Sequence, residues 1–514
     1  MIRPFFRFIS RCLLPLGLFL IIFGAKLLII EKFGSDLPFG DQWDGEARAV
    51  YQPYFAGTLT FAHLFAPHNE HRIVFTKLLN LGLLLWNGWW DARLQCVVNA
   101  ALHADILVLL LVWTRLHLGR WAEAAAFLLF VDVAAPPVVW ENTLRGFHSQ
   151  FYFLLGFSLA AMWLWVASPA WSRRWWLALP CAAAAIFSMG SGFFCALPVL
   201  VLLAARFWFD RASGRTWLPT ACACGIVVGL GWALRTEVPE DVPLHAHSLR
   251  DFVLAFLHTA AWPRIKNISL APLAYLPVAV LGWRWWRRKG AMDAAHHFVL
   301  AGGLWALLQT AATAYARGAD GALPANRYGD MGATGMIFSG LALMLLFQEP
   351  LRRRGARWWL FAIAGAWSVA LFTGVWFRAH VAFKTELPGI RGWSQAAEMN
   401  VRTYLHTGRF ADSDPLHLPY PKADRLAGML DQQWVRAILP GSVRLPPALE
   451  HPAPPGAAEP ATGSRIARAL ARHALGFLAA GCVFGAMGLA TALKRAERVA
   501  FSVFSLPDNS AKLP

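Results

Sequence analysis

Charge is scarce in this sequence: Asp, Glu, Lys and Arg make up only 15% of its 514 residues, hydrophobic residues make up 57%, and the mean hydropathy is +0.44. A soluble domain of this length carries about a quarter charged residues. The shortage therefore excludes a water-solvated globule and requires lipid as solvent. Alternating strands of about 10 residues are absent, which excludes a transmembrane barrel and leaves helices as the spanning element. Paired cysteines are absent as well. Cys12, Cys96, Cys181, Cys195, Cys222, Cys224 and Cys482 all lie in apolar runs, so neither a disulfide framework nor a zinc site is implied. No glycine-rich phosphate loop appears, and no internal repeat is found.

Acidic residues are also outnumbered, 30 against 47 basic ones, giving a formal charge of +17. The basic residues sit in short clusters between apolar runs, where the positive-inside rule puts them. The charge is read as topology, with no nucleic-acid partner. Arg3, Arg7 and Arg11 precede a first apolar run that continues to Ile30 without a small-residue cleavage site, a retained signal anchor. With that N-terminus in the cytoplasm, the later inside turns hold Arg115 and Arg120, then Arg173 and Arg174, then Arg206, Arg211 and Arg215. Arg284, Arg287, Arg288 and Lys289 follow, then Arg352, Arg353, Arg354 and Arg357, and finally Lys494, Arg495 and Arg498. Arg465, Arg468 and Arg472 fall outside and are the main exception.

The pattern predicts an all-α polytopic bundle of about twelve spans in a bacterial inner membrane, with its N-terminus in the cytoplasm. Residues 1–377 form the bundle, 32–94 the first periplasmic loop, 378–465 a small extramembrane helical region with a Pro-rich linker around Pro446 to Pro460, and 466–514 the last span and a cytoplasmic tail. The scheme requires that Ile73 to Trp90 not cross. Interrupted by Lys77, Asn80, Asn87 and Gly88 and ending in Trp86, Trp89 and Trp90, it reads as a helix lying at the interface.

Four polar clusters then share the periplasmic face. The first loop carries Asp36, Asp41, Asp44 and Glu46 around Trp43, where one carboxylate suits a general base and a second orients it or holds a divalent cation such as Mg or Mn. His68, Asn69, Glu70, His71 and Arg72 run consecutively at the membrane margin, with groups for a metal or a phosphate. Glu141, Asn142, Arg145, His148, Ser149 and Gln150 occupy a turn between apolar spans, and Arg327 with Tyr328 opens a later span. Separately each has a plain explanation as a solvated loop, a helix cap or a snorkelling side chain. Their convergence on one face is what points to a site. Within the spans, Lys26 is expected to snorkel, Asp132 to pair with a neighbouring helix, and Asp105 stands as a further ionisable group. The run Ser188 to Gly192 is expected to permit close packing.

The order of Asp41-Gln-Trp-Asp44, the helix from Ile73 and Glu141-Asn142 resembles the GT-C superfamily of membrane glycosyltransferases over roughly the first third of the chain, and with Trp43, His68 to Arg72 and Arg327-Tyr328 is similar to a bacterial branch of it. One departure is that Glu141 lacks a second acidic neighbour, with Arg145 to His148 in its place. The resemblance implies inverting transfer of a sugar from a polyprenyl-phosphate donor to a periplasmic glycan or lipid acceptor. Asp41, then Asp44, is the candidate base. His68, Asn69, Glu70, His71, Arg72, Glu141, Asn142, Arg145, His148, Arg327 and Tyr328 are candidates for substrate binding. A lipid-linked sugar flippase is the alternative, and a noncatalytic assembly protein docking through 378–465 is a third.

Overall fold

The computed structural model describes residues 2–211, 214–348, 358–444, 446 and 462–504, and among them there is no β-strand. Among the described residues ten helices are long and apolar enough to cross a membrane, which marks the chain as a multi-pass membrane protein. The bundle is built from α1 (Ile2–Phe33), α2 (Val74–Asn87), α3 (Ala92–Leu118), α4 (Arg120–Ala134), α5 (Ser149–Ala167), α6 (Arg173–Ile186), α7 (Leu197–Phe209) and α8 (Gly214–Ala233). It continues with α9 (Leu249–Ala260), α10 (Ala271–Arg287), α11 (Ala294–Ala316), α12 (Gly329–Gln348), α13 (Trp358–Val381), α14 (Leu387–Thr407), α15 (Thr462–Arg472) and α16 (Ala474–Phe504). Two of the expected spans, α6 and α10, form helices of only 14 and 17 residues.

Local chemistry fixes the helix ends. Asp91 accepts the Leu94 N–H at 3.0 Å to cap α3, Ser172 and Asp293 cap α6 and α11 in the same way, and Gly88 ends α2 in the left-handed region at φ 71°. At 14 residues α2 is about 21 Å long, too short to cross a ~30 Å core. Its Leu78, Leu85 and Trp86 are exposed, as suits a helix on the lipid surface. Trp90 departs from that expectation: it is fully buried in the layer described next.

Two cores exist. The larger fills the bundle and centres on α12, which is buried nearly all round. In it α1 and α16 pack so closely that a methyl group on Gly17 would lie 2.7 Å from the backbone nitrogen of Gly485, and Gly24, Gly481 and Gly488 continue the seam. The smaller core lies at one end of the bundle and joins Leu37, Phe39, Trp43, Tyr51 and Trp90 to Ala397, Val401, Tyr420, Leu426 and Val435. Main-chain bonds from Gly40 N to the Pro419 carbonyl and from Trp90 N to the Ile438 carbonyl, both 2.7 Å, tie the segments together. The first long loop and the region after α13 are thus one layer. The helix carrying it, Trp359–Thr407, runs on for 49 residues through a π-helical turn at Ala382–Glu386, so the chain passes position 378 with no break. The Pro-rich segment around Pro446 to Pro460 lies, apart from Pro446, outside the described residues, as do Arg352, Arg353, Arg354 and Arg357, and the side chains of Arg3, Arg7, Arg215, Lys494, Arg495 and Arg498.

Arginines sit at both ends of the bundle. Arg115 donates to the Arg11 carbonyl, Arg284 to that of Leu346, and Arg206 packs on Gly290, all at the end away from the layer. The exceptional arginines of α15 lie at the layer end, where Arg468 pairs with Asp36 at 2.8 Å and Ser464 bonds to Asn87 and Asp91. Asp36 is also met by Arg93 at 3.1 Å and Ser442 at 2.7 Å. Burial opposes its charge, but the two guanidiniums outweigh burial and hold its carboxyl below the usual range.

Candidate functional site

A cavity of about 320 Å³ opens between the layer and the bundle. Asp41, His68, Asn69, Glu70, His71, Glu141, Arg145, His148, Arg327 and Tyr328 all line it, together with Phe39, Gln150, Met189, Arg317 and Trp393. Ten of the thirteen residues singled out from sequence therefore meet at one place, drawn from four separate segments.

The first wall is the turn His68 to His71. Its ends bond through His68 N to the His71 carbonyl at 2.7 Å and back at 3.0 Å, and Asn69 takes the left-handed conformation, φ 49°, that an Asx side chain tolerates. The turn fits against Gly190, where a methyl group would lie 2.9 Å from the Glu70 carbonyl, and the Gly190 N–H donates to His71 Nδ1 at 3.3 Å. The Ser188 to Gly192 run thus admits a loop as well as a helix. Arg317 grips both oxygens of Glu70 at 2.9 and 3.1 Å and reaches Asp241 at 3.1 Å. Burial works against the Glu70 charge, yet the Arg317 bonds hold its carboxyl below the ordinary range, while burial lowers the pKa of both His68 and His71. His68 Nε2 stands 3.9 Å from an Asp41 oxygen, and that Asp41 side chain is 61% exposed.

The second wall is a clamp between two distant turns. Glu141 accepts the Arg327 N–H at 3.0 Å and its guanidinium at 3.2 Å. Asn326 accepts the Glu141 N–H at 3.0 Å, and Asn142 donates to the Arg327 carbonyl at 2.8 Å. Arg145 is treated differently. Its guanidinium is stacked 4.8 Å from the Phe39 ring and 5.0 Å from the Trp393 ring, and no carboxylate lies within ion-pairing distance among the described residues. It keeps its full capacity for an anion.

Three singled-out residues do not line the cavity. Asp44 is engaged by the Tyr420 hydroxyl at 2.7 Å and by Arg425, so the second candidate base is a strut of the layer. Arg72 spends its guanidinium on the carbonyls of Phe65 at 2.8 Å and Leu234 at 3.4 Å. Asn142 lies fully buried behind the wall. Lys26, expected to snorkel, instead donates to Thr143 at 3.1 Å inside the bundle. Asp132 meets Trp376 of α13, and Asp105 faces outward.

Glu46 was part of the acidic run but carried no role. It anchors the segment bearing Asp41. Gln42 and Asn80 donate to one of its oxygens at 3.1 and 2.9 Å, and Tyr51, Trp90 and Gln95 to the other at 2.9, 2.7 and 2.8 Å. Burial raises its pKa, opposed by the donors Gln95, Trp90, Tyr51 and Gln42. Gln95 also packs on Gly146, where a methyl group would meet its amide oxygen at 2.2 Å, and Asn99 donates to the Gly146 carbonyl at 2.9 Å. Through α3 the Asp41 and Arg145 segments share one support.

No group of three or more His, Cys, Asp or Glu side chains converges as a metal-binding set among the described residues, and both oxygens of Glu141 are taken by Arg327. With both oxygens engaged, Glu141 offers no free ligand to the Mg or Mn ion expected from the acidic motifs. A second cavity, also about 320 Å³, lies beyond Tyr328, which it shares with the first. Trp140, Trp262, Leu323 and Val381 line it with Lys266 and the Arg378–Glu386 pair. Comparison with protein families, with curated proteins and with solved structures finds no match for this chain.

Proposed function

We propose that the chain is a membrane glycosyltransferase that moves a sugar from a polyprenyl-phosphate carrier to a glycan or lipid acceptor, with inversion at the anomeric carbon. The observation that supports this best is the shared cavity of Asp41, Glu141 and Arg327, with the unpaired Arg145 between aromatic rings. Arg145 and Arg327 take the carrier phosphate and offset the charge that grows on it as it leaves. The isoprenoid tail stays in lipid and reaches the site along the Trp140 and Trp262 cavity.

In the step proposed, the acceptor hydroxyl oxygen forms a bond to the anomeric carbon and its proton passes to the Asp41 carboxylate. The bond from that carbon to the phosphate oxygen breaks, and the electron pair leaves with polyprenyl phosphate. Asp41 suits this because its side chain is open to solvent and carries no ion pair closer than His68 at 3.9 Å. The placement of arginines between the spans supports a cavity on the periplasmic face of a bacterial inner membrane with the N-terminus in the cytoplasm.

The test is to incubate the purified protein in lipid vesicles with polyprenyl-phosphate sugars and candidate glycan or lipid acceptors. Wild type and Asp44→Asn form glycoside, and Asp41→Asn does not. Undiminished transfer by Asp41→Asn removes the base. Carrier crossing the vesicle wall without glycoside formation replaces the enzyme with a flippase.

A further inference from the structure

Behind the Glu141 and Arg327 clamp, a line of polar side chains runs from the cavity into the bundle. The Asn142 amide nitrogen donates to the Arg327 carbonyl at 2.8 Å and to the Asp330 carboxylate at 2.7 Å. Asp330 and Lys26 line one small cavity within the bundle, and the Lys26 ammonium donates to Thr143, the residue next to Asn142. All are buried.

This line decides the chemistry of His148. A main-chain carbonyl can only accept, so the NH₂ of Asn142 must face Arg327 and Asp330. Its oxygen then faces His148 Nδ1 at 2.7 Å, and an amide oxygen also only accepts. Nδ1 therefore carries a proton, and in the neutral ring the lone pair sits on Nε2. No protein group bonds to that nitrogen among the described residues, and the ring lines the cavity. Two residues on, Gln150 lines the same wall with an amide oxygen that also lacks a partner.

The rest of the cavity offers few free acceptors. Glu70 is held by Arg317 and Glu141 by Arg327, while Arg145, Arg317 and Arg327 only donate. An anion finds partners at the arginines. A sugar hydroxyl, which must donate as well as accept, finds acceptors at Asp41, His148 and Gln150, and His68 Nε2 is a further unpartnered nitrogen on the cavity wall.

We propose that His148 is a fixed acceptor for a hydroxyl of the transferred sugar, its tautomer set by Asn142 and, behind it, by Asp330 and Lys26. This makes His148 a reader of the carbohydrate rather than a ligand of the phosphate, and Asn142 a positioning residue. The sugar rests on the glycosyltransferase reading. The tautomer does not.

Two measurements test it. Nitrogen-15 NMR of histidine-labelled protein in nanodiscs, with His148→Gln to identify the signal, is expected to show a protonated Nδ1 and a bare Nε2 in wild type. Asn142→Leu loses that preference. A protonated Nε2 in wild type, or a tautomer unmoved by Asn142→Leu, overturns the positioning chain. Separately, wild type and His148→Leu are titrated with polyprenyl phosphate and with polyprenyl-phosphate hexose. The variant is expected to bind the bare phosphate as wild type does and the hexose carrier about tenfold more weakly, the loss of one hydrogen bond. Equal weakening for both carriers, or none for either, overturns the sugar contact. Failure of wild type to bind either carrier removes the glycosyltransferase reading and this ligand with it, and leaves the tautomer result standing on its own.

Discussion

Glu141 and Arg327, 186 residues apart in the chain, hold each other through both the main chain and the side chain of the arginine. The carboxylate thus fixes where the guanidinium sits as well as balancing its charge. Replacing it by alanine is expected to free the turn from Asn326 to Tyr328 and to lower stability by about 1 to 2 kcal/mol, since the pair is partly solvated. Thermal unfolding in detergent reads the stability. Arg327→Lys, which keeps the charge but loses the planar fork, is expected to restore little of the transfer activity lost in Arg327→Ala.

Asp41 and Asp44 stand three positions apart and are expected to separate cleanly. Asp41→Asn should lower turnover by about 10²- to 10⁴-fold with carrier binding retained. Asp44→Asn should lower turnover by less than about tenfold, and its effect should appear as faster hydrogen exchange around Tyr420 and Arg425, the partners it leaves. A loss of turnover in Asp44→Asn as large as in Asp41→Asn contradicts the assignment.

Glu46→Ala leaves five donors without their acceptor inside the layer. The expected cost is at least about 3 kcal/mol, seen as a lowered unfolding midpoint. Glu46→Gln keeps an acceptor oxygen and should cost less. Equal midpoints for wild type and Glu46→Ala would show that the network contributes nothing.

Acid should loosen the turn from His68 to His71. Burial lowers the pKa of both histidines, so their contribution to stability is complete above their ordinary 6.5 and falls away as pH drops through the lowered values. Glu70 is held below its ordinary 4.5 once its bonds to Arg317 outweigh burial, and its contribution is lost at still lower pH. Once the intrinsic slowing of amide exchange in acid is divided out, the protection of Asn69 to His71 should fall in these two stages on acidification. Protection that is unchanged from pH 7 to pH 4 would be inconsistent with buried, uncharged imidazoles there.

Much of the site was legible because membrane sequences place polarity where it is needed. A residue such as Arg145 between two apolar spans is expensive unless something uses it, and the arginine alternation alone put it on the same face as Asp41 and Arg327. What was not legible depended on pairing across long separations. Asp44 looks like Asp41 in sequence, and only Tyr420, 376 positions away, and Arg425 just beyond it distinguish them. Arg317 and Trp393 lie in stretches with no cluster of their own and enter the site by folding. Lys26 was misjudged because snorkelling is the usual fate of a lysine near a helix end, and its partner Thr143 is an unremarkable residue in sequence. The layer was missed as a unit since its halves are joined by hydrophobic packing and by long-range hydrogen bonds, neither of which leaves a signature in spacing.

The glycine seam between α1 and α16 bears on biogenesis. The helix α1 is shaped for a neighbour that the ribosome delivers more than four hundred residues later, so its bare groove must wait in the bilayer while the intervening spans are made. Lys26 waits too, on that same helix, for Thr143, which lies 117 positions downstream. Assembly is therefore completed late, and a chain stopped before α16 presents quality control with an unfilled notch on its oldest segment.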